Sequence, residues 1–480
     1  MDASMRVQTI LFLISDTGGG HRSAANAIRN AMNMLTQEAG GQRAPGSLAL
    51  PSYRVKVVDV FAEYGLPPLR RAIFLYGPAI KYQPELYGQL FHAMNHKASF
   101  KALQKLIYPL LQQGLVSLLT SVRPDVIVSI HPLLNHSTLQ VLEELGVRVP
   151  FLTVITDLVS VHRGWVAPGV DACVVPTEAA RQMCLQQGMT SEKIFLLGMP
   201  IDPKFSQPED SKLHLREQLG LAPQLPTILL MGGGEGTGEL YRSVRAISQA
   251  VLPVQLVVVC GRNRRLLERL ERIQHRLKVP AKFLGFVENM PELMRAADVL
   301  VTKAGPGTIS EAMACELPIL LTSYVPGQEE GNVSYVIDHG VGKMVETPEE
   351  LLDVLGELLR PNSSTLASMR SHAARLGYPC ASSDIARLIM KQLPSPDVVS
   401  VWNRSSLAVA RRAVRLRRQP MRASLSRKMR HLERFSRLDH LKQLRYLLMR
   451  GTHFGNIQLR RPGGYRRRHD AWSPGGGSSR

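Results

Sequence analysis

Residues 303–312 read KAGPGTISEA, and they follow the apolar run DVLVT at 298–302. An apolar run that leads into glycines and then into a helix-forming segment is typical of a buried parallel strand followed by a helix. Gly305 and Gly307 let the backbone approach a ligand closely, and a helix that begins near Thr308 directs free N–H groups and its positive dipole end at an anion. The stretch therefore predicts an α/β fold with a diphosphate site at a strand end.

A second glycine-containing segment supports the same architecture. Residues 317–321 read LPILL, and the segment YVPGQEEGN follows at 324–332. Parallel strands end at one edge of their sheet, and open α/β sheets bind ligands at that edge. The two segments are therefore expected to line one ligand site.

Apolar runs alternate with amphipathic segments along the chain, which indicates parallel βαβ units and two sheets. A length of 480 residues allows two cores, because single domains usually hold about 100–200 residues. The strands of the first sheet are predicted at 8–15, 54–60, 125–130, 151–156, 172–175 and 194–197. Those of the second are predicted at 227–231, 255–260, 282–284, 299–302, 319–321 and 342–345.

Proline marks the boundary between the two groups of strands. The segment GMPIDPKFSQP at 198–208 contains three prolines, which interrupt both helices and sheet pairing. We therefore expect an N-terminal Rossmann-like domain, an interdomain linker, a C-terminal Rossmann-like domain and a basic tail, at residues 1–197, 198–215, 216–394 and 395–480.

The net charge of +20 is concentrated in the tail. Residues 395–480 hold 21 Lys and Arg against 4 Asp and Glu, and apolar residues recur every three or four positions from 425 to 449. This pattern predicts a basic amphipathic helix that docks on an anionic membrane surface, with a disordered extension or nonspecific RNA binding as alternatives. Residues 64–118 also mix apolar and basic side chains, which suits either membrane contact or core helices with snorkelling lysines.

Cysteine usage and apolar run lengths bear on the compartment. The five cysteines lack CxxC spacing, so neither a zinc site nor a disulfide framework is predicted. The apolar runs are shorter than the ~18 residues that a spanning helix needs. The first strand begins near residue 8, which we interpret as leaving no room for a signal or transit peptide. We expect a cytoplasmic protein, peripheral on the inner face of the membrane.

The N-terminal glycines follow the first predicted strand, in the run SDTGGGHR at 15–22. The run lacks the GK[ST] of a P-loop and the GxGxxG spacing, so nucleotide binding there is disfavoured. A helix is predicted at 24–34, and the turn before it exposes His21. A purely structural turn from strand to helix is the alternative.

Three segments together resemble the monogalactosyldiacylglycerol synthase family: the stretch at 303–332, the run DVIVSIHPLLNH at 125–136 and the run at 15–22. The resemblance extends over about residues 8–390. Members transfer galactose from UDP-galactose to diacylglycerol and adopt the GT-B fold of two facing Rossmann-like domains. The resemblance implies this fold here, with a last core helix at 383–392 that returns to the N-terminal domain.

On the acceptor side, the resemblance implies that His21 is the general base, which takes the proton of the acceptor hydroxyl as that oxygen attacks the anomeric carbon. Asp157 is implied to orient the acceptor or to support His21. A lone histidine is more often structural than catalytic, so both roles stay open for the histidines of the third strand end. The acceptor-side candidates are Gly20, His131, His136 and Trp165.

On the donor side, the resemblance implies that the glycine loop at 232–238 and an arginine contact the diphosphate, that the segment at 285–287 holds uracil, and that Glu311 accepts the ribose hydroxyls. Amide and carboxylate groups suit the sugar diols. The donor-binding candidates are Gly233, Gly234, Arg262, Phe286, Gly307, Thr308, Glu311, Gln328 and Glu329. Because no Asp-x-Asp motif sits at a strand end, we expect neither a metal nor a cofactor, and the helix N-terminus with Arg262 and Lys303 would stabilise the leaving diphosphate.

The resemblance implies an inverting transferase that moves a hexose, preferably galactose, from a UDP-hexose to the 3-hydroxyl of 1,2-diacylglycerol. UDP-glucose as donor and the lipid acceptor of the lipid II-forming transferases are the enzymatic alternatives. A nonenzymatic adaptor that binds membrane or nucleic acid through its tail is a third, against which the donor segments count. No specific nucleic acid is expected as a partner.

Overall fold

The computed structural model describes residues 7–17, 19–41, 53–67, 69–70, 76–207, 211–232, 240–250, 252–395 and 401–402. Two six-stranded sheets form the framework, and their recorded strand pairs are parallel. This arrangement confirms the predicted α/β class. The amphipathic helix predicted at 425–449 lies outside the described residues, and the domain boundaries stay predictions.

The first sheet has the strand order β2-β1-β3-β4-β5-β6. Its order reverses between β1 and β3, which places a crevice at the carboxyl ends of those two strands. The strands are β1 Gln8–Ile14, β2 Tyr53–Asp59, β3 Val126–Ser129, β4 Phe151–Val154, β5 Ala172–Val175 and β6 Ile194–Leu196.

The second sheet has the order β12-β11-β10-β7-β8-β9, which is the doubly wound Rossmann order with its reversal between β7 and β10. The pairing of β10 with β11 shifts register between Thr302 and Lys303. The strands are β7 Thr227–Met231, β8 Gln255–Val259, β9 Ala281–Leu284, β10 Val299–Lys303, β11 Ile319–Ser323 and β12 Gly342–Met344.

Helices connect the strands and cover both faces of each sheet. Those of the first half are Gly20–Gly41, Val60–Tyr64, Tyr76–Tyr82, Pro84–Asn95, Lys97–Val122, Asn135–Leu145 and Glu178–Gln186. Those that follow are Lys212–Gln218, Leu240–Gln249, Arg264–Glu271, Met290–Ala296, Pro306–Ala314, Glu330–Asp338, Pro348–Leu358, Ser364–Leu376 and Ala381–Lys391. Among the described residues, none of these helices is both long and apolar enough to cross a membrane.

Each sheet is buried between two apolar clusters, which explains why its strands read as continuous apolar runs. The helix Ala381–Lys391 follows the second sheet in the chain, yet its Ile385 and Ile389 belong to the cluster of Ile10 and Phe12 on the first sheet. This return packs the last described helix against the first half.

Candidate functional site

Neighbouring strands of the first sheet bring three chemical groups to one point. β1, β3 and β4 lie side by side, and they are followed by His21, His131 and Asp157 respectively. Carboxyl ends of adjacent parallel strands meet at one edge, so residues more than 100 positions apart become neighbours. The structure thus brings together most of the acceptor-side candidates.

His21 lies on the first turn of the helix Gly20–Gly41, directly after a tight glycine turn in which Gly19 has φ +79°. A side chain at that φ is strained, which accounts for a glycine there. The turn is tied down at its start, because Asp16 forms an ion pair with Arg22 at 2.6 Å and its N–H donates to Asp59 at 3.0 Å. The His21 ring is thereby held at the crevice between β1 and β3.

The His21 ring is held in a neutral state among other rings. Its centroid lies 4.9 Å from that of His131 and 6.0 Å from that of Trp165. Its Nδ1 lies 3.1 Å from the hydroxyl of Thr156. Burial lowers the pKa of His21 to about 4, against an opposing effect of the Asp16 carboxylate. A tautomer that donates from Nδ1 to Thr156 leaves Nε2 unprotonated, which is the form that a general base requires.

Thr156 is a site residue that the sequence reasoning missed. It is buried just past the end of β4, immediately before Asp157. A hydroxyl side chain at the carboxyl end of a strand was the sequence signal that could have identified Thr156. The prediction named the acidic residue beside it, Asp157, instead. The hydrogen-bonding partner of His21 Nδ1 is therefore the threonine, one position before the expected aspartate.

Asp157 is held in place by the loop that carries Trp165. The fully buried Trp165 indole donates from Nε1 to Asp157 Oδ2 at 2.6 Å. Burial raises the pKa of Asp157 to about 6, and the Trp165 indole and the His162 backbone N–H hold it down in part, while the charge of Glu329 raises it further. Asp157 is thus ionised at neutral pH and lies within the electrostatic reach of the second half.

The two histidines of the 125–136 run have different surroundings. His131 is buried, its ring contacts both His21 and Phe61, and burial lowers its pKa well below the ordinary range. His136 lies in the first turn of the helix Asn135–Leu145, and its ring centroid lies 5.5 Å from that of Phe100. Only His131 of the two belongs to the recorded ring contacts around His21 among the described residues.

On the second sheet, the neighbours β10 and β11 bring a lysine to a glutamate. Lys303 Nζ donates to Glu329 Oε1 at 2.5 Å, and the other carboxylate oxygen accepts from the Val325 N–H at 2.9 Å. Glu329 is buried, so this carboxylate closes the loop after β11 and fixes the ammonium group of Lys303 beside it. The register shift in the pairing of β10 with β11 falls at the same place, between Thr302 and Lys303.

The helix Pro306–Ala314 begins at the same edge. Its N-cap residue, Gly305, makes no side-chain hydrogen bond, and a Cβ built on Gly307 would meet nothing within 4 Å. An uncapped N-terminus with open space beside Gly307 and Thr308 suits an anion. Farther along the helix, burial and the charge of Asp202 raise the pKa of Glu311 to about 8.

Arg262 and Phe286 follow the adjacent strands β8 and β9. The Arg262 guanidinium carbon lies 5.3 Å from the centroid of the Phe286 ring, and Phe286 is 62% exposed. The pair is accessible to a ligand beyond the carboxyl ends of β8 and β9. Gly233 and Gly234 lie outside the described residues.

Gln328 lies where the two halves touch. Its Oε1 accepts a hydrogen bond from the Tyr87 hydroxyl at 3.0 Å.

Among the described residues, no group of three or more His, Cys, Asp or Glu side chains could hold a metal ion. The first half thus contributes the neutral His21 to the site. The second half contributes Arg262, Lys303 with its partner Glu329, and the N-terminus of the helix Pro306–Ala314.

Comparisons with known proteins agree with this geometry. The family model described as "Monogalactosyldiacylglycerol (MGDG) synthase" matches residues 21–201, and the model "Glycosyltransferase family 28 C-terminal domain" matches residues 227–385. The two matches fall on the two halves that face each other across the site.

Curated relatives match most of the chain. Monogalactosyldiacylglycerol synthase 3 of Arabidopsis thaliana is 37% identical over 395 residues, which is 80% of this chain and 81% of the relative. Monogalactosyldiacylglycerol synthase 1 of the same plant is 35% identical and covers 82% of this chain and 73% of the relative. A probable synthase 2 of Oryza sativa subsp. japonica is 36% identical, with 82% of each chain covered.

Solved structures share the architecture. The MurG structure of Acinetobacter baumannii aligns with a TM-score of 0.50 and 16% identity over 80% of this chain and 99% of that chain. A glycotransferase of kitacinnamycin also aligns with a TM-score of 0.50, at 15% identity over 81% of this chain and 100% of that chain. These likenesses confirm the predicted GT-B fold of two Rossmann-like halves.

The relatives also correct one prediction. They are named chloroplastic, which contradicts the expected cytoplasmic location and the absence of a transit peptide. That prediction was wrong, because it relied on the short distance between residue 1 and the first strand, and this distance does not determine a compartment.

Proposed function

The chain belongs to the monogalactosyldiacylglycerol synthase family, and from this we propose that it transfers galactose from UDP-galactose to the 3-hydroxyl of 1,2-diacylglycerol. It is a glycosyltransferase of the GT-B fold. The observation that carries the proposal is the placement of a neutral His21 in one half and an uncapped helix N-terminus beside Lys303 in the other.

The reaction is a direct displacement at the anomeric carbon. The acceptor oxygen forms a bond to that carbon, the bond to the diphosphate oxygen breaks, and UDP leaves with the electron pair. His21 takes the acceptor proton on Nε2, while Thr156 holds the ring through Nδ1. Attack opposite the leaving group inverts the anomeric centre. Asp157, ionised at neutral pH, orients the acceptor. The Asp16 carboxylate, which raises the pKa of His21 against the effect of burial, favours the imidazolium that forms.

The second half binds the donor. The N–H groups of the helix Pro306–Ala314, with Gly307 and Thr308 in its first turn, receive the diphosphate together with Arg262 and Lys303. These groups carry the charge of the departing UDP, and we propose that the transfer needs neither a metal nor a cofactor. Phe286 marks the uracil site beside Arg262.

The remaining donor contacts are made by carboxyl and amide groups. Glu311 binds the ribose hydroxyls from the middle of its helix, and Gln328 binds the hexose hydroxyls. Glu329 lies beside the hexose and holds Lys303 in place. On the acceptor side, Gly20 leaves room beside the base, since a Cβ there would meet nothing within 4 Å.

The direct test is a transfer assay with separate donors. Purified protein is incubated with diacylglycerol and either UDP-galactose or UDP-glucose, and the glycolipid is identified by mass spectrometry and sugar analysis. We expect monogalactosyldiacylglycerol with inverted anomeric configuration. A hexosyl product from UDP-glucose alone would reassign the donor, and transfer only to a polyprenyl-linked acceptor would replace the diacylglycerol proposal.

Acceptor chemistry of this kind requires access to a bilayer, and exposed apolar residues on three consecutive helices of the first half suit it. We name as the apolar ridge the exposed residues Tyr82, Leu86, Leu90 and Leu106 of the first half. The exposed lysines 97, 101 and 105 accompany them. Apolar side chains with adjacent cations bind anionic lipid surfaces. We propose that this ridge meets the membrane that supplies diacylglycerol.

Replacing Leu86 and Leu90 by aspartate is expected to weaken binding to anionic vesicles roughly tenfold or more, because two apolar contacts are lost and two like charges are added. The measurement is vesicle co-sedimentation at low and high salt. Leu213→Asp is the matched control, because Leu213 is an exposed leucine of the helix Lys212–Gln218 in the second half. Equal binding of all three proteins would remove the ridge from membrane contact.

A further inference from the structure

The helix Pro84–Asn95 of the first half lies against the donor loop of the second half, defined here as residues 324–329. Gly88 is buried in this helix, and a Cβ built on it would come within 2.9 Å of the Pro326 side chain and 3.1 Å of its backbone carbonyl carbon. Gly327 has φ +78°, and a Cβ there would lie 3.0 Å from Gly88 Cα. The two glycines therefore allow a contact between backbones that larger side chains would separate.

This close approach brings Tyr87 to Gln328. The tyrosine hydroxyl donates to Gln328 Oε1 at 3.0 Å, across 241 positions of sequence. On the other side of the loop, Glu330 Oε1 accepts from the Gly327 N–H at 2.9 Å, and its Oε2 lies 3.3 Å from His92 Nε2. The helix thus contacts the chain on both sides of Gln328, at Pro326 and Gly327 before it and at Glu330 after it.

The hydrogen bond determines how the amide of Gln328 is turned. A primary amide presents its acceptor oxygen in one direction and its N–H donors in another. When Oε1 is directed at Tyr87, the direction of the Nε2 donors is set as well. Galactose and glucose differ at one hydroxyl, and a site built to hydrogen-bond a particular hydroxyl discriminates strongly against an analogue that cannot make the bond.

We propose that Tyr87, supplied by the acceptor half, is a positioning residue that sets which hexose the donor loop accepts, with Gly88 keeping the helix close enough for its hydrogen bond. The proposal rests on the proposed function, because it takes Gln328 as a contact of the hexose. It predicts that a residue outside the nucleotide-binding half controls donor choice while the UDP portion is bound independently of it.

Tyr87→Phe is expected to leave UDP affinity unchanged and to change the kcat/KM ratio of UDP-galactose to UDP-glucose about tenfold, because one oriented hydrogen bond is lost. Calorimetry with UDP, UDP-galactose and UDP-glucose accompanies the turnover assay. The matched control is Tyr53→Phe, which removes a hydroxyl bonded to Thr36 at 2.6 Å and to the Met32 carbonyl at 2.8 Å, far from the loop in sequence.

Gly88→Ala tests the close approach separately. Alanine favours helices more than glycine does, so the helix itself is retained, but the new Cβ pushes the helix away from Pro326. We expect a several-fold higher KM for UDP-galactose with the same UDP affinity. Gly77→Ala is the control, because a Cβ at Gly77, in the neighbouring helix Tyr76–Tyr82, meets nothing within 4 Å.

The outcomes separate this proposal from the function on which it rests. Unchanged donor ratio and unchanged UDP-galactose KM in both variants would overturn the positioning role, as would an equal loss of affinity for UDP and for UDP-sugars. A wild-type protein that binds UDP-sugars without forming glycolipid would overturn the acceptor assignment. The role of Tyr87 would then be decided by calorimetry, from the effect of Tyr87→Phe on the difference between the affinities for UDP and for UDP-galactose.

Discussion

His21→Ala is expected to lower kcat by ~10²–10⁴-fold while UDP affinity stays unchanged, because a general base acts in the transition state and not on the bound nucleotide. The structure favours this role, since burial lowers the pKa of His21 to about 4 and Thr156 holds its Nδ1. The imidazole is therefore neutral and able to accept a proton throughout the neutral range. Single-turnover assays with calorimetric UDP titration measure both quantities.

The control for this substitution is His214→Ala, which removes a histidine whose side chain is 52% exposed on the helix Lys212–Gln218. Its turnover is expected to equal that of the wild type. A folded His21→Ala protein with wild-type turnover would transfer the base role to Asp157 or another group. Thr156→Val should show an intermediate loss, because the ring loses the partner that orients it.

Most of the framework could be predicted, because buried parallel strands carry a strong apolar signal. The strand predicted at 172–175 is observed as Ala172–Val175, and the one predicted at 227–231 as Thr227–Met231. The ends of the strands were predicted less accurately. The strand predicted at 151–156 stops at Val154, and Thr156 and Asp157 lie beyond it at the edge of the sheet. Neighbouring strands then bring the distant His21 and His131 together, because the carboxyl ends of adjacent parallel strands meet at one edge of the sheet.

The contacts between halves could not be predicted in the same way. Tyr87 is one of 12 tyrosines, and nothing in its local sequence points to Gln328. Its hydrogen bond depends on how the two domains pack against each other. The periodicity of apolar residues along the chain carries no information about that packing. Glu329, which was expected to bind the sugar directly, is found bonded to Lys303 of its own half, and that pairing was not predicted either. Hydrogen bonds between distant segments are properties of the assembled cleft.

Glu311→Ala is expected to weaken UDP binding by about 1–3 kcal/mol, roughly 5- to 150-fold in Kd, because the ribose hydroxyls lose a hydrogen-bonding partner. Burial and the charge of Asp202 raise the pKa of Glu311 to about 8. Hydroxyl donors favour the ionised carboxylate, so wild-type affinity for UDP should increase as pH rises through about 8. Calorimetry between pH 6 and pH 9 measures this dependence.

Glu311→Gln separates the charge of this side chain from its shape. The amide does not titrate near neutral pH, so the UDP affinity of the variant should not follow pH through 8. The raised pKa also makes the stability of the protein depend on pH. A carboxyl whose pKa rises from 4.5 to about 8 on folding destabilises the protein progressively as pH rises between those values. The neutral amide of the variant avoids that cost, so the variant should unfold at a higher Tm than the wild type at pH 8.

The matched control is Asp353→Ala, which removes an exposed carboxylate from the helix Pro348–Leu358 of the same half. It should leave both UDP affinity and its pH dependence unchanged. A folded Glu311→Ala protein with wild-type UDP affinity would remove Glu311 from the ribose site. Affinity that is lost in Glu311→Ala but that falls as pH rises through about 8 in the wild type would keep the contact and assign it to the protonated carboxyl, which can both donate to and accept from a ribose hydroxyl.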